Sequence, residues 1–429
     1  MEGNASWMLM SASLVLLMTP ALSMFYGGMS RQKSVLNTMM MSFGAMGVVI
    51  PIFILYGWSM SYGGNDLAGI VADPFTDFGL RNVMTDGAGA YVVGDSGYPA
   101  IIDVAFQVTF AVISVALISG AIAERVKFSS WLVFAGLWVT FAYFPLAHMV
   151  WGGGLLSESS HSVAGWMFGS EGEEAIIGPV DFAGGTVVHI AAGTAALVLA
   201  VVCGHRKGFP RHVHRPHNLP MVMLGSGLLW FGWCGFNAGS AFAADGLAGL
   251  AWMNTAAAAA AGIIGWLVVE RIRDQHMTSL GAASGVVAGL VAITPAAGAL
   301  DPVGSLLLGA VGGGLAAWAV SWKYRFGFDD TLDVVGVHLV AGLWGTIGLA
   351  LLDTNIGVFY GGGGDGFKLL VVQFVVAIAA MIVSAIVTAV VALIIRGTMG
   401  WRIEETDEES GIDYRIHGET AYETSSMRF

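Results

Sequence analysis

The residues D-F-A-G-G-T-V-V-H-I-A-A-G at 181–193 place an acid and a histidine at the head of a long apolar run. The same arrangement returns at 330–342 as D-T-L-D-V-V-G-V-H-L-V-A-G. In both stretches an aspartate precedes a histidine by eight residues, and Ala-Gly closes the pattern. Internal similarity of this kind indicates a structural repeat. We therefore predict a chain built from two related halves, each carrying one of the two histidines.

The composition is that of a membrane protein. Of the 429 residues, 56% are hydrophobic and 11% are charged, whereas soluble domains carry about 25% charged residues. Eleven apolar segments approach the roughly 20 residues that a bilayer crossing needs. They lie at 7–27, 35–60, 101–123, 128–150, 184–204, 219–241, 247–269, 278–297, 302–322, 332–352 and 367–395. We predict an all-α polytopic membrane protein with eleven transmembrane helices, and no basic cluster suited to nucleic acid appears.

The basic residues are distributed very unevenly between the two sides of the predicted membrane. Sixteen of the 18 fall in alternate loops or after the last segment, and the other side holds only Arg81 and Lys368. Because cytoplasmic loops carry the excess of Lys and Arg, we predict an N-terminus outside and a cytoplasmic C-terminus. The two histidine segments then run in opposite directions, since five segments separate them.

This arrangement predicts two inverted five-helix repeats, a pattern typical of transporters with a site near the bilayer midplane. The first half covers 1–204 (helices 1–5), and the second, inverted half covers 205–352 (helices 6–10). An outer loop and the eleventh helix occupy 353–396, outside the symmetry. The remaining residues, 397–429, form a predicted cytoplasmic regulatory tail.

Ionisable residues are few within or beside these segments, and such groups at membrane depth are costly and indicate function. They are Asp103, His148, Asp181, His189, Asp330, Asp333 and His338. Asp181 falls at the outer end of its segment, where a helix N-cap and a functional role both remain open. Asp330 and Asp333 fall at an inner end, where we interpret them as caps or as residues of an intracellular gate.

Aromatic residues supply a further pattern. Phe106 and Phe110 are four residues apart, as are Phe236 and Ser240, so each pair shares one helical face. Trp151 ends the fourth segment at the outer side. It is interpreted either as an interfacial belt residue or, together with Phe110 and Ser240, as part of a site that holds a cation against aromatic faces.

Several motifs along the chain carry a resemblance to one family. They are F-Y-G-G at 25–28, A-H-M-V-W-G-G-G at 147–154, D-F-A-G-G-T-V-V-H at 181–189, G-F-N-A-G-S at 235–240, G-A-A-S-G at 281–285, T-P-A-A-G at 294–298 and D-V-V-G-V-H at 333–338. In this order they resemble the ammonium transporter (Amt/Mep/Rh) family, in its bacterial, archaeal and plant Amt branch. The resemblance implies a homotrimer in the lipid bilayer of the cell membrane, with eleven helices and one pore in each subunit.

The resemblance also implies roles for individual residues. It implies an outer recruitment site of Trp151, Phe110 and Ser240, with Asp181 behind it. It also implies a pore gate of Phe110 and Phe236 with Phe106. Further along the pore it implies the twin histidines His189 and His338 and an intracellular end with Asp330 and Asp333. The tail at 411–422 resembles the family's C-terminal motif, which implies a PII-type signalling protein as a cytoplasmic partner.

The function expected from these residues is transport of ammonium or ammonia, with methylammonium as a further candidate substrate. Carrying the intact cation through an apolar pore is costly, so we expect deprotonation near the outer site and passage of neutral ammonia. We expect His189 and His338 to stay uncharged, with one ring donating to the other. No catalytic residue, metal or cofactor is expected, and the chain is not expected to be an enzyme.

Two alternatives remain. A haem-binding membrane redox protein would use His189 and His338 as axial ligands, although the preceding aspartates and the aromatic residues argue against it. The other alternative is an ammonium sensor. The tail after the eleventh segment has only about 33 residues, which we expect to be too few for a kinase or other output domain.

Overall fold

The computed structural model describes residues 2–211 and 214–422 and is mainly helical. Each of the eleven predicted segments contains a helix, and these helices are labelled α1 to α11. They are α1 Glu2–Met29, α2 Val35–Tyr62, α3 Ile101–Ile122, α4 Phe128–Trp151, α5 Gly185–Cys203, α6 Leu219–Gly239, α7 Gly246–Asp274, α8 Ser279–Ile293, α9 Pro302–Phe326, α10 Val335–Leu352 and α11 Gly363–Thr398. The final residues of the predicted tail, 423–429, lie outside the described residues.

Within the described ranges, ten of these helices are long and apolar enough to cross a membrane. The helix α8 has only 15 residues. At about 1.5 Å per residue it falls short of the ~30 Å hydrocarbon core. The prediction of a helical multi-pass membrane protein is therefore confirmed, while a count of eleven crossings stays a prediction.

Short elements occupy the loops and the tail. Two small antiparallel hairpins pair β1 (Asp66–Leu67) with β2 (Val71–Ala72), and β3 (Ser170–Glu171) with β4 (Glu174–Ala175). The remaining short helical turns are Phe78–Leu80, Arg81–Met84, Val163–Phe168, Val358–Tyr360, Glu405–Ser410 and Asp413–His417. The two hairpins lie in the predicted outer loops, so these loops fold back on themselves.

The two histidine helices, α5 and α10, cross at the Ala-Gly pairs that close the repeated sequence motif. A methyl group on Gly193 would lie 2.5 Å from the backbone nitrogen of Leu339, and one on Gly342 would lie 3.2 Å from Cβ of His189. Only a residue without a side chain allows backbones to approach this closely, as is common between membrane helices. The crossing brings the two histidine positions together in the centre of the bundle.

Both histidine helices begin with a wide π-helical turn that the sequence pattern did not predict. It covers Gly185–Ile190 in α5 and Val335–Val340 in α10, and each turn contains the histidine. The predicted start of the tenth helix at 332 is also three residues early. Asp333 adopts the left-handed backbone conformation with a φ of 65°, which an aspartate tolerates but a helix does not continue.

Candidate functional site

A cavity of about 510 Å³ lies at the predicted outer face of the bundle. All four residues proposed for cation recruitment line it: Phe110, Trp151, Asp181 and Ser240. They come from four different helices or their ends, so the packing of α3, α4, α5 and α6 assembles this site. A second cavity of about 750 Å³ shares Trp151 and Asp181 with the first and adds Glu158, Glu173 and Glu174.

Trp151 is held in a fixed orientation at the wall of the outer cavity. Its indole Nε1 donates to the backbone oxygen of Asp181 at 2.9 Å. Its ring meets that of Phe110 edge to face, with centroids 6.2 Å apart and planes at 88°. The two rings form an aromatic corner, an arrangement that can attract a cation through the negative ring faces.

The carboxylate of Asp181 caps the start of α5. Oδ1 accepts from the backbone nitrogen of Gly184 at 3.0 Å, and Oδ2 accepts from those of Thr186 and Val187 at 3.0 and 3.3 Å. The N-cap interpretation of Asp181 is therefore correct for its geometry. The same residue lines both cavities, so this capping geometry is compatible with a role towards a cation held there.

Stacked phenyl rings lie next to the outer cavity. Phe110 and Phe236 stack with centroids 4.1 Å apart and planes at 21°. Phe106 meets Phe110 edge to face at 4.8 Å and packs in the same manner against Phe242. All three residues of the predicted gate are buried. Phe106 supports the stack from one side, and Phe110 is shared between the aromatic corner and the stack.

The paired histidines lie next to this stack. Nδ1 of His189 is 3.3 Å from Nδ1 of His338, and the ring centroids are 5.3 Å apart. Both side chains are buried. Since a hydrogen bond between two imidazole nitrogens needs one donor and one acceptor, the rings must take opposite roles at this contact. The spacing also leaves no room for a porphyrin between the two Nδ1 atoms, so the haem alternative is not supported.

The start of α10 repeats the capping seen at the start of α5. The carboxylate of Asp330 accepts from the backbone nitrogens of Val334 and Val335 at 3.1 and 2.8 Å. Asp333 instead forms an ion pair with Lys323, with Nζ 2.6 Å from Oδ1. The two inner acids therefore differ: Asp330 is the counterpart of Asp181, and Asp333 anchors the end of α9.

Trp233 is a residue of this region that the sequence reasoning missed. Its ring lies against His189 with centroids 5.3 Å apart and planes at 24°, and its Nε1 donates to Thr294 Oγ1 at 2.9 Å. Trp233 precedes Phe236 by three residues, so a search along that helix face would have found it. It fixes the orientation of the His189 ring from the side of α6.

A buried charge network joins the predicted cytoplasmic ends of the helices. Glu124 pairs with Arg31 and Arg206, and Arg206 also pairs with Asp329 at 2.8 Å. Burial of Asp329 opposes ionisation, but its hydrogen bonds to Arg206 hold the pKa of the carboxyl below its usual range. The sequence interpretation gave Glu124 and Asp329 no role, because ion pairs between distant loops leave no local pattern.

The tail lies against these inner ends. The carboxylate of Asp413 accepts from the backbone nitrogens of Leu36 and Asn37 at 3.0 and 2.8 Å, and it thereby caps α2. Glu408 pairs with Arg402 and accepts from the backbone nitrogen of Lys207. The described part of the tail is thus docked on the same chain that forms the bundle.

The fold and the site together define a helical multi-pass membrane protein with a polar outer cavity, an aromatic closure and a buried imidazole pair. The chain belongs to the Ammonium Transporter Family, whose sequence profile matches residues 6–422. The ammonium transporter of Mycobacterium bovis is 48% identical, and the alignment covers 98% of this chain and 90% of that one. The resemblance stated from the motifs is confirmed.

Solved structures agree with the family assignment. A structure described as a sensor Amt protein superposes with a TM-score of 0.84 at 25% identity, covering 97% of this chain and 98% of the other. Mep2 of Saccharomyces cerevisiae superposes with a TM-score of 0.80 at 29% identity, covering 99% and 92%.

Proposed function

We propose that this protein recruits ammonium at the outer aromatic corner, removes one proton and conducts ammonia past the stacked phenyl rings and the paired histidines. The observation that carries the proposal is the contact between His189 and His338 beside the Phe110–Phe236 stack. Burying two polar side chains in an apolar path is costly, and ionisable residues at membrane depth indicate a functional site.

Recruitment depends on what ammonium offers and potassium lacks, namely N–H donors. The hydroxyl of Ser240 donates to the backbone oxygen of Phe236 at 2.9 Å. Its proton is therefore occupied, and its remaining lone pairs can accept from the cation. The faces of Trp151 and Phe110 add cation–π attraction, and the carboxylate of Asp181 adds a negative charge behind them. The acidic loops around the cavities raise the local concentration of cations.

The aromatic stack closes the path, and this closure is the reason for proposing that ammonium loses a proton before it passes. The rings of Phe110 and Phe236 are in contact and buried, so a solute that passes them has to displace a ring and loses its water. An intact cation would be strongly penalised there, whereas neutral ammonia would not. The proton is proposed to pass from the cation to solvent water at the outer cavity. The ratio of charge to ammonia moved shows whether a proton also crosses the membrane.

The imidazole pair then meets ammonia beyond the stack. With both rings uncharged, one Nδ1 donates and the other accepts. The Nε2 atoms of the two rings then also differ, because one is a donor and the other is an acceptor. Nε2 of His189 is buried and has no hydrogen-bond partner among the described residues. It is thus free to hydrogen-bond a small polar solute such as ammonia.

The proposal includes the topology and the partners expected from the sequence. Two inverted repeats would explain why Asp181 and Asp330 cap opposite helices in the same manner. A homotrimer with one pore in each subunit would cover part of the apolar surface. The tail would connect the pore to a PII-type protein at the cytoplasmic face, and Asp330 and Asp333 would form the intracellular end of the path.

Proteoliposomes that hold the purified protein test the proposed transport. Current and ammonium uptake are measured together after an ammonium pulse, with potassium at the same concentration as the control. We expect uptake with ammonium and none with potassium, and the ratio of charge to ammonia taken up reveals whether the proton crosses. Ammonium binding without any uptake would contradict transport and would favour the sensor alternative.

A further inference from the structure

A second polar wall lines the outer cavity beside the proposed recruitment site. Asp103, Gln107 and Phe110 follow one another at spacings of four and three residues on α3, so they share one face of that helix. All three line the cavity, together with Trp58 and Tyr62 of α2. This face of α3 therefore presents the carboxyl group of Asp103 and the amide of Gln107 to the cavity and ends at the ring of Phe110, which belongs to the proposed gate.

Asp103 is positioned with one oxygen engaged and one free. The buried Tyr98 donates its hydroxyl to Oδ1 at 2.6 Å. Among the residues that the structure describes, none donates to Oδ2. A side chain on Gly94 would come within 3.3 Å of Oδ2, so the glycine keeps the space beside this oxygen open. The carboxylate is thus held in place by one partner and left with an acceptor at the cavity.

Gln107 lies one helical turn further towards the stack. Its side chain is only 9% exposed, and its amide oxygen has no hydrogen-bond partner within residues 2–211 and 214–422. The hydroxyl of Tyr62, on the adjoining wall, is also buried and unpartnered in that part of the chain. Buried amide and hydroxyl groups nearly always have partners, so these groups need a donor and an acceptor that the described residues do not supply.

We propose that Asp103 and Gln107 form a second binding station for ammonium and small primary alkylammonium ions, which hands the cation to the recruitment site at Phe110 and Trp151. The carboxylate of Asp103 attracts the charge, and the amide oxygen of Gln107 accepts an N–H hydrogen bond. The rings of Trp58 and Tyr62, with centroids 4.9 Å apart, add aromatic faces. This station rests on the proposed transport function and concerns its first step.

Ammonium uptake into proteoliposomes, measured over a range of ammonium concentrations, tests the station. Gln107→Leu removes the amide and keeps the side-chain size, and Asp103→Asn removes the charge and keeps the acceptor for Tyr98. We expect each to raise the apparent KM about tenfold, as the loss of a hydrogen bond to a charged group implies, with the maximal uptake rate nearly unchanged. Gln107→Glu, which retains acceptor oxygens, is expected to keep the KM at or below that of the wild type.

The matched control is Asp95→Asn, which removes the same charge from an exposed residue lining the same cavity. We expect a small change in KM that disappears at high salt, because exposed charges are screened. An equal effect of Asp95→Asn and Asp103→Asn on the KM would show that Asp103 acts only through the general electrostatic field of the cavity, and it would overturn the station. An unchanged KM in Gln107→Leu would overturn it as well.

A binding readout separates this inference from the proposed transport. If the wild type takes up no ammonium, the transport function fails, and thermal melting in detergent then decides the station alone. A ligand that binds only the folded state raises the melting temperature. We expect ammonium chloride to stabilise the wild type more than potassium chloride does, and to stabilise Gln107→Leu less. An equal ammonium effect in both proteins would reject the station.

Discussion

Gly193 of α5 lies directly against the backbone of Leu339 in α10, the residue that follows His338. A methyl group at this glycine would come within 2.5 Å of the Leu339 nitrogen and 2.7 Å of its Cβ. The distance between the two imidazoles is therefore set by a backbone contact that lies one turn after His189 and directly after His338. The Ala-Gly pair that closes the repeated motif thus positions the histidines as well as permitting the crossing.

This contact predicts that Gly193→Ala separates the two histidine helices. Overpacking of this kind costs about 1–3 kcal/mol, so the melting temperature in detergent should fall and ammonium uptake should drop more steeply than stability. Gly47→Ala in α2 is the control, because no described atom lies within 4 Å of a methyl group there. A Gly193→Ala protein with wild-type uptake would contradict the proposed importance of the imidazole spacing.

A second prediction separates the charge of Asp181 from its capping function. Asp181→Asn keeps an oxygen that can accept from the start of α5 and removes the charge, whereas Asp181→Ala removes both. We expect both variants to abolish uptake, while only Asp181→Ala loses the roughly 1 kcal/mol that a helix cap contributes. Uptake is measured with labelled methylammonium, and stability by melting.

The control for this prediction is Asp301→Asn. Asp301 caps α9 by accepting from the backbone nitrogen of Gly304 at 2.7 Å, and it lines neither outer cavity. The same chemical change there should leave uptake intact. An Asp181→Asn protein that still transports would show that the negative charge is unnecessary, and the recruitment proposal would lose its anionic group.

The repeated spacing of aspartate and histidine predicted more of the site than the composition did. It placed Asp181 and Asp330 as counterparts, and the structure shows both capping a histidine helix. It could not predict the π-helical turns, because an apolar run fits an α-helical turn and a π-helical turn equally well. The ion pair between Asp333 and Lys323 was equally hidden, because it depends on how the end of α9 folds back towards the start of α10.

The predicted helix boundaries were wrong for a different reason. The apolar run of α7 ends near residue 269, but the helix continues to Asp274 through the buried Glu270 and the exposed residues 271–274, which still form helical hydrogen bonds. Hydropathy locates the bilayer core and not the last helical turn. For α8 the opposite holds, because its apolar run of about 20 residues contains a helix of only 15. The run continues into the turns after Ile293, which are buried inside the protein.

The buried charge network predicts a pH-dependent stability. The pKa of Asp329 is held below its usual range by Arg206, so its contribution is present at neutral pH and disappears as the pH falls through the lowered pKa. We expect Asp329→Asn to be less stable than the wild type by about 3–5 kcal/mol at pH 7, the usual cost of breaking a buried ion pair. The difference between the two melting temperatures should shrink below about pH 4.

Asp274→Asn is the matched control, because Asp274 pairs with Arg273 at the surface. Exposed pairs contribute about 0–1 kcal/mol, so this variant should melt like the wild type at every pH. A difference between wild type and Asp329→Asn that persists unchanged at acid pH would indicate a packing effect and contradict the electrostatic account.

The tail is expected to regulate transport without forming the pore. Truncation after Arg402 removes Asp413, whose carboxylate caps α2, and Glu408, which holds the loop around Lys207. We expect an assembled protein with lowered or deregulated uptake and no binding of a PII-type protein. Asp413→Ala should reproduce part of the uptake defect, while Glu419→Ala, at an exposed position, should not. Identical uptake and identical PII-type binding in full-length and truncated protein would refute this prediction.

The last prediction concerns the charge state of His189 and His338. An imidazolium in this buried position would lack solvent, and a second one 3.3 Å away would add repulsion between like charges. The carboxylates nearest in sequence are otherwise engaged: Asp181 and Asp330 accept from backbone nitrogens at helix starts, and Asp333 pairs with Lys323. Within the part of the chain that the structure describes, neither ring therefore has an anionic partner, and we expect both to remain uncharged at neutral pH.

Three variants and one control test this expectation through selectivity. His189→Ala and His338→Ala should each break the polar path and either stop ammonium uptake or admit potassium. His338→Glu should preserve flux and let potassium through, because a carboxylate offers a charge that an uncharged imidazole does not. The control is His148→Ala, since His148 is equally buried but pairs with Asp66 in an outer loop. We expect that variant to retain selectivity. If both pore alanine variants kept wild-type ammonium currents and still excluded potassium, the contact between the two rings would be only structural, and the proposed path for ammonia would have to run elsewhere.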